Sequence, residues 1–319
     1  LRDCDAIFIC VPTPFTTNKD PDISYVLDAS SKIAANIREN QVVIIKSTTF
    51  PGTTEKFVKP VLESSGLKSG QDFYLAFSPE RIDPGNKKFN TSNTPIVVGG
   101  IDETSTDITC SIHKIIVDQV VPVSSTKIAE MEKLLENIFR SVNIALVNEL
   151  AQLCDRIGIN IWEVIEAAST KPFGFMPFFP GPGIGGHCIL IDPYYLSWMA
   201  REYDFETKFI ALAAEINEEM PYYVRYMVLK EIAKQPVTAA DAKVLLLGMA
   251  FKKDVSDLRH SPALKVYEIL KTEGVENISY YDPYIPEISM KSEKLISEKE
   301  LSAEMLKKYD VIVITTDHS

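Results

Sequence analysis

Several things are scarce in this chain of 319 residues, and each scarcity removes a class of answer. No apolar run approaches the ~20 residues that span a bilayer, and the N-terminus lacks a basic region followed by an apolar one and a small-residue cleavage site. A soluble, cytoplasmic protein with no membrane partner is expected. The cysteines, Cys4, Cys10, Cys110, Cys154 and Cys188, are odd in number, widely spaced and without a CxxC pair. That pattern fits neither a disulfide framework nor a thiolate zinc site, so free thiols and no metal are expected. Positive charge is also short: 33 Lys and Arg against 44 Asp and Glu leave a net charge of −11. Phosphate neutralisation needs a clustered cationic face, so a nucleic-acid partner is not expected. Finally, nowhere does a GxGxxG follow a strand and open a helix, as a dinucleotide fingerprint requires. Because the chain opens almost directly in a strand and stops just after one, at TTDHS, it reads as an interior portion of a longer protein.

What is present is a strong alternation of two periods. With 45% of residues hydrophobic, large cores can be buried. Continuous apolar runs at 5–11, 42–48, 73–78 and 95–100 alternate with amphipathic stretches at 24–37 and 54–66. Such alternation predicts a parallel sheet covered on both faces. The last third repeats the grammar, with strands at 242–250, 277–283 and 310–316 and a helix from 261 to about 273. There Ser261 serves as N-cap and Pro262 as the first helical residue. Between the two α/β regions, residues 125–157 contain neither glycine nor proline before the end of the run. They predict one helix of roughly 45 Å, buried on several sides as a spine or at a subunit interface. Further helices are expected at about 194–203, after Asp192-Pro193, and at about 208–232. The expected fold class is therefore α/β, two Rossmann-like parallel-sheet domains joined by a long central helix. The expected divisions are 1–124, 125–235 and 236–319, with the first domain lacking its opening βαβ unit and the last incomplete at its C-terminus.

Ligands of open parallel sheets sit beyond the carboxyl ends of the strands. The segments that follow the strands are VPTP (11–14), KSTT (46–49), SPER (78–81), GMAFKKD (248–254), YDP (281–283) and TTDH (315–318). Each is rich in hydroxyls, charges or prolines, which suit a lined crevice and equally suit ordinary turns. On the long helix, Lys133 and Asn137 are four residues apart and project from one face, where they could meet a ligand oxygen gaining negative charge. The plainer alternative is a solvated stripe with Glu132 and Glu136. Asn143 and Asn148 on the same helix call for polar partners.

The stretch GPGIGGHCILIDPYYL (181–196) surrounds Cys188 with glycines that let backbone approach a ligand closely. It can instead be a tight connection with Cys188 as a small buried hydrophobe. Asp192, four residues on, could share a water with the thiol or simply cap the helix beginning at Pro193. His187 is assigned to loop packing. Lys252, Lys253 and Arg259 follow a strand end and suit either a diphosphate or a solvated loop.

In this order, CVPTP, KSTTFPGT, SPERIDPGN, EKLLENIFRSVNIALVNELA, GPGIGGHC with Asp192, and GMAFKKDVSDLRHSP resemble the UDP-glucose/GDP-mannose dehydrogenase family over essentially the whole chain. SPERIDPGNKK and STKPFGFMPFFPGPGIGGHC look most like its branch acting on UDP-N-acetylhexosamines, and UDP-N-acetylglucosamine is the favoured sugar. The resemblance implies NAD as cofactor, a UDP-sugar substrate, polysaccharide biosynthesis as the setting and a homodimer or higher homo-oligomer. It implies Cys188 as nucleophile, Lys133 and Asn137 as oxyanion stabilisers, Asp192 and Thr48 as the pair ordering a catalytic water, and Glu80 as the base for thioester hydrolysis. Val11, Pro12, Thr13, Ser47, Thr48 and Arg259 fall where members touch NAD. Glu80, Arg81, Lys133, Asn137, Gly183, Gly185, Gly186, Phe251 and Lys252 fall where they touch the nucleotide sugar. Two departures from glucose-specific members, Ile191 in place of a lysine and Lys171 as the cation ahead of the glycine loop, fit an acetamido sugar. The alternatives are UDP-N-acetylmannosamine or UDP-glucose as substrate, and a nucleotide-sugar-binding module without catalysis.

Overall fold

The computed structural model describes residues 1–319 except Thr17, Asn18, Pro84, His187, Lys291 and Ser292, and except the side chains of Cys188, Leu190 and Ile191. In chain order, the first elements are β1 (Ala6–Ile9), α1 (Ser24–Ala34), β2 (Val42–Ile45), a π-helical turn (Thr54–Val58) running into α2 (Lys59–Glu63), and β3 (Tyr74–Phe77). They continue with β4 (Ile96–Gly100), α3 (Glu103–His113), β5 (Val120–Val123) and α4 (Thr126–Ile157). There follow α5 (Ile161–Ser169), α6 (Cys188–Ala200), a 3-10 turn (Arg201–Tyr203), α7 (Lys208–Ile232), β6 (Lys243–Leu247), α8 (Pro262–Thr272) and β7 (Asn277–Tyr281). A hairpin of β8 (Glu287–Ser289) and β9 (Lys294–Ile296), then α9 (Ala303–Leu306) and β10 (Val311–Ile314), complete the order. Two compact units result, residues 1–139 with 191–207 and residues 140–190 with 208–319, so the division falls inside α4 and inside α6.

The first unit holds a five-stranded sheet in the order β1-β2-β3-β4-β5. Its apolar runs are continuous because both faces are covered: Val43, Ile45, Leu75 and Phe77 pack with α1 and α2 through Val26, Ile33 and Leu62. The opposite face buries Ile96, Val98 and Cys110. Parallel pairing holds for β1 with β2, β2 with β3 and β4 with β5. One pair departs from the expected pattern, since β4 runs antiparallel to β3. The reason is the connection, which among its described residues holds no crossover helix to return the chain to the same end of the sheet. β5 was not expected, because Pro122 interrupts its apolar run; it lies at the sheet edge, where a missing N–H is tolerated.

The second unit holds a parallel sheet, β10-β6-β7, in the positions read from the sequence. Val244 and Leu246 of β6 pack on Val266 and Leu270 of α8 and on Val228 and Ile232 of α7. Ser261 caps α8 as expected, its side chain accepting from the Ala263 N–H at 3.2 Å. α4 is one uninterrupted helix of 32 residues. α6 differs from its expected course: it begins at Cys188 and carries Pro193 inside, so Asp192 is a helix-interior residue rather than the N-cap of a helix opening at Pro193. Pro193 cannot donate to the carbonyl of Ile189, so the helix runs through it at the cost of one hydrogen bond near its start. Among the described residues no helix is long and apolar enough to cross a membrane.

Candidate active site

Glu130, Lys133 and Asn137 are spaced by three and four residues, so α4 presents all of them on one face. In the first unit each is buried and each meets a different segment. Glu130 accepts from the Gly52 N–H at 2.6 Å, the Thr54 N–H at 2.9 Å and the Thr54 hydroxyl at 2.7 Å, holding the segment after β2. Lys133 Nζ donates to the backbone carbonyl of Glu80, in the segment after β3. Asn137 Nδ2 donates to Asp192 Oδ2 on α6, and Asp192 is only 3% exposed. The structure thus brings together four of the sequence-derived catalytic positions, Glu80, Lys133, Asn137 and Asp192. Thr48, half-buried, emerges from the strand adjacent to the one that precedes Glu80. Glu80's carboxylate lies 3.6 Å from Lys46 Nζ and accepts from the Ile82 N–H at 2.9 Å.

Glu132 and Glu136 do not form the solvated stripe that the sequence allowed. Both are partly buried because Arg81 folds back onto α4: Nε donates to Glu136 at 2.9 Å, Nη1 to the Pro95 carbonyl at 2.9 Å, and Glu132 lies 3.4 Å away. Burial, reinforced by the neighbouring carboxyl of Glu136, pushes Glu132 up to about 7. Burial raises Glu136 too, but the hydrogen bonds from Arg81 and Glu132 outweigh it and hold Glu136 below the usual carboxylate range. Arg81, assigned to substrate by the sequence, therefore pins the SPER segment to the helix.

The cofactor-assigned positions sit at the ends of β1 and β2. Ser47 Oγ donates to the Val11 carbonyl at 2.7 Å, joining the two segments. Thr13 is buried, Val11 and Thr48 are half-buried and Pro12 is exposed. A residue that the sequence reading missed, Tyr195 of α6, is fully buried against Phe50 and Leu134. Its hydroxyl lies 2.6 Å from the Thr13 carbonyl and 2.8 Å from that of Pro14, so the VPTP segment is moored to α6. No periodicity marks such a tyrosine, because its partners are carbonyls 182 and 181 residues away.

In the second unit the glycine loop rests on the segment after β6. A Cβ on Gly185 would lie 2.5 Å from Phe251 Cβ and 2.9 Å from the His260 carbonyl; one on Gly186, whose φ is +81°, would meet the Phe251 ring at 2.9 Å. The Gly186 N–H donates to the Arg259 carbonyl at 2.8 Å. Gly183, with φ +132°, passes 3.2 Å from the Asn217 carbonyl by the same measure. These contacts account for glycine at all three positions from within the chain. The partner that Asn148 required is Asn217 of α7: Asn148 Nδ2 donates to Asn217 Oδ1 at 2.9 Å while Asn148 Oδ1 accepts from the Gly181 N–H at 2.9 Å. Lys252 is half-buried. Arg259 is exposed and pairs with Asp257 through Nε and Nη2 at 3.0 and 2.7 Å.

Asp282, in the YDP segment, organises the rest. It accepts from the N–H groups of Met249, Ala250, Tyr284 and Ile285 at 2.7–3.1 Å. His318 Nδ1 accepts from the Asp254 N–H, so its Nε2 carries the proton and donates to Asp282 at 3.1 Å. Cys188 is the first residue of α6 by its backbone; its side chain, like all of His187, lies outside the described residues.

Models of three domains match the chain: a NAD binding domain over residues 1–117, a central domain over 127–219 and a UDP binding domain over 245–319. The chain is 37% identical over 318 residues to a UDP-N-acetyl-D-mannosamine dehydrogenase of Pyrococcus horikoshii, covering 100% of this chain and 72% of that protein. It is also 37% identical over 287 residues to a UDP-N-acetyl-D-glucosamine 6-dehydrogenase of Pseudomonas aeruginosa, over 89% and 67% of the two. A solved structure of UDP-D-ManNAc dehydrogenase from Pyrococcus horikoshii matches with a TM-score of 0.88 at 36% identity, over 99% of this chain and 72% of that one. Since the three domain models follow one another in order along nearly the whole chain, it belongs to the UDP-glucose/GDP-mannose dehydrogenase family, oxidoreductases of nucleotide sugars that use NAD.

Proposed function

We propose that the protein oxidises the C6 alcohol of a UDP-N-acetylhexosamine, with UDP-N-acetylglucosamine favoured, to the uronate in two steps through a thioester at Cys188. The observation that carries this reading is the buried set on one face of α4, where the Lys133 ammonium meets the Glu80 carbonyl and the Asn137 amide meets Asp192, four residues after a cysteine that opens a helix. The residues at the ends of β1 and β2 fit a part of NAD away from its diphosphate: 11–14 and 47–49 offer hydroxyls and backbone and no cation. Lys46, next to them, faces Glu80. NAD, when bound there, supplies the acceptor for both hydrides.

The chain's own residues manage protons and charge. Asp192 assists removal of the C6 hydroxyl proton, and the aldehyde formed is attacked by the Cys188 thiolate to give a thiohemiacetal. The N-terminus of α6 favours the thiolate, and an ammonium favours a thiolate wherever the two meet. Lys133 and Asn137 stabilise the oxyanion, an effect that burial strengthens. Oxidation of the thiohemiacetal leaves the thioester. Glu80 takes a proton from a water ordered by Asp192 and Thr48, and hydrolysis releases the carboxylate and restores the thiol. In the second unit, the glycine loop with Phe251 and Lys252 receives the sugar nucleotide, while Arg259 serves the cofactor. Similarity to relatives named for the mannosamine sugar supports UDP-N-acetylmannosamine as a second reading.

Cys188→Ser in the full-length protein is the test. It is expected to bind the UDP-sugar and form no uronate, while the parent protein yields two NADH per sugar; uronate from the variant removes Cys188 from the chemistry. Initial rates with UDP-N-acetylglucosamine, UDP-N-acetylmannosamine and UDP-glucose decide the sugar. A homodimer or higher homo-oligomer is also proposed, because α4 leaves Leu135, Phe139, Leu146 and Leu153 about half exposed. Light scattering of a Leu146→Glu variant is expected to show dissociation.

A further inference from the structure

We propose that Glu130 is a positioning residue of the dehydrogenase site, which fixes segment 46–54, and with it Ser47 and Thr48, against the α4 face that presents Lys133 and Asn137. The inference rests on the functional reading above and assigns a role to a side chain which that mechanism leaves unused. Glu130 is fully buried, and a buried carboxylate is retained only where donors surround it. All three donors given above come from 52–54, and two of them are backbone N–H groups. The other end of the segment is tied to β1, by the N–H groups of Lys46 and Ser47 on the Ile9 carbonyl and by Ser47 Oγ on that of Val11. Thr48 therefore lies on a short span clamped at both ends. Releasing the Glu130 end lets that span move while the β1 end, Lys133 and the sugar-assigned loop of the other unit keep their own anchors.

The prediction is a selective defect. In full-length protein, Glu130→Ala is expected to raise the KM for NAD about tenfold and, because Thr48 helps order the hydrolytic water, to lower kcat about fivefold, with the dissociation constant for UDP-N-acetylglucosamine changed less than about twofold. Glu130→Gln keeps an oxygen for both Thr54 donors and is expected to restore the NAD KM to within about threefold of the parent. Thr54→Val, which removes a single donor, is expected to raise it about threefold. Should Glu130→Ala fail to fold, the Gln and Val variants still decide the matter. Unchanged NAD KM in Thr54→Val and Glu130→Gln together with Glu130→Ala, or equal weakening of NAD and sugar binding with a fall in Tm, overturns the role. A parent protein that turns over no UDP-sugar overturns the functional reading and this inference with it; a working parent matched by Glu130→Ala overturns this inference alone.

Discussion

The two units secure their strand-end segments by opposite means. In the first, a helix from outside the sheet reaches them with buried charged and amide side chains, Glu130, Lys133 and Asn137. In the second, the segments hold one another: four backbone N–H groups converge on Asp282, and the glycine loop lies flat on Phe251. A polar clamp buries groups that can donate, accept and carry charge. Close backbone packing makes a rigid, chemically quiet seat. In the proposed reaction, proton and hydride chemistry belongs to the first arrangement and recognition of a nucleotide to the second.

Removing the central anchor of the quiet side should break this contrast most visibly. Asp282→Ala strands four N–H groups and His318, and is expected to lower stability by about 4 kcal/mol in urea unfolding; a loss under about 1 kcal/mol would mean the loops hold without it. Next comes the pH dependence of the polar side. Burial pushes Glu130 from 4.5 up to about 7 against the hydrogen bonds from Thr54 and Gly52. With the folded value raised, its favourable contribution is complete below pH 4.5 and is lost as pH rises through about 7. At ~1.36 kcal/mol per pKa unit this is at most about 3 kcal/mol. The Tm of Glu130→Gln should therefore fall less than that of the parent between pH 5 and 8, and parallel profiles would refute the assignment.

Gly185→Ala sharpens the contrast from the other direction. The added methyl must displace Phe251 or the loop, at about 2 kcal/mol, and weaken UDP-sugar binding in titration calorimetry more than NAD binding. The smallest effect is expected at Arg259. Its pair with Asp257 is exposed, so Arg259→Ala should change stability by less than about 0.5 kcal/mol. Any loss of NAD affinity in that variant then reports contact with the cofactor rather than disturbance of the fold.

The strands were legible because residues such as Val43, Ile44 and Ile45 are buried on both faces of a sheet, leaving an unbroken apolar run. The span of α4 was legible from its unbroken helical pattern. The start of α6 was misread because proline suits a first helical position, where its missing N–H costs nothing, whereas here Pro193 lies inside the helix. At the site, Lys133 and Asn137 could be singled out, since a cation and an amide on an apolar helix face ask for a reason. Glu130 could not, because an acid on a helix is ordinarily solvated and backbone N–H partners have no signature in sequence. Asp282 was seen only as part of the YDP segment, a crevice lining or a turn.

Composition and periodicity by themselves determined the class of fold, its central strands and long helices, and which residue types border the strand ends, because burial selects side chains locally and repetitively. Only the tertiary structure decided which of those side chains meet. Hydrogen bonds between groups 33 to 182 residues apart, from Asp282 to Met249 and from Tyr195 to Thr13, depend on where the chain returns and not on the neighbours of any one residue.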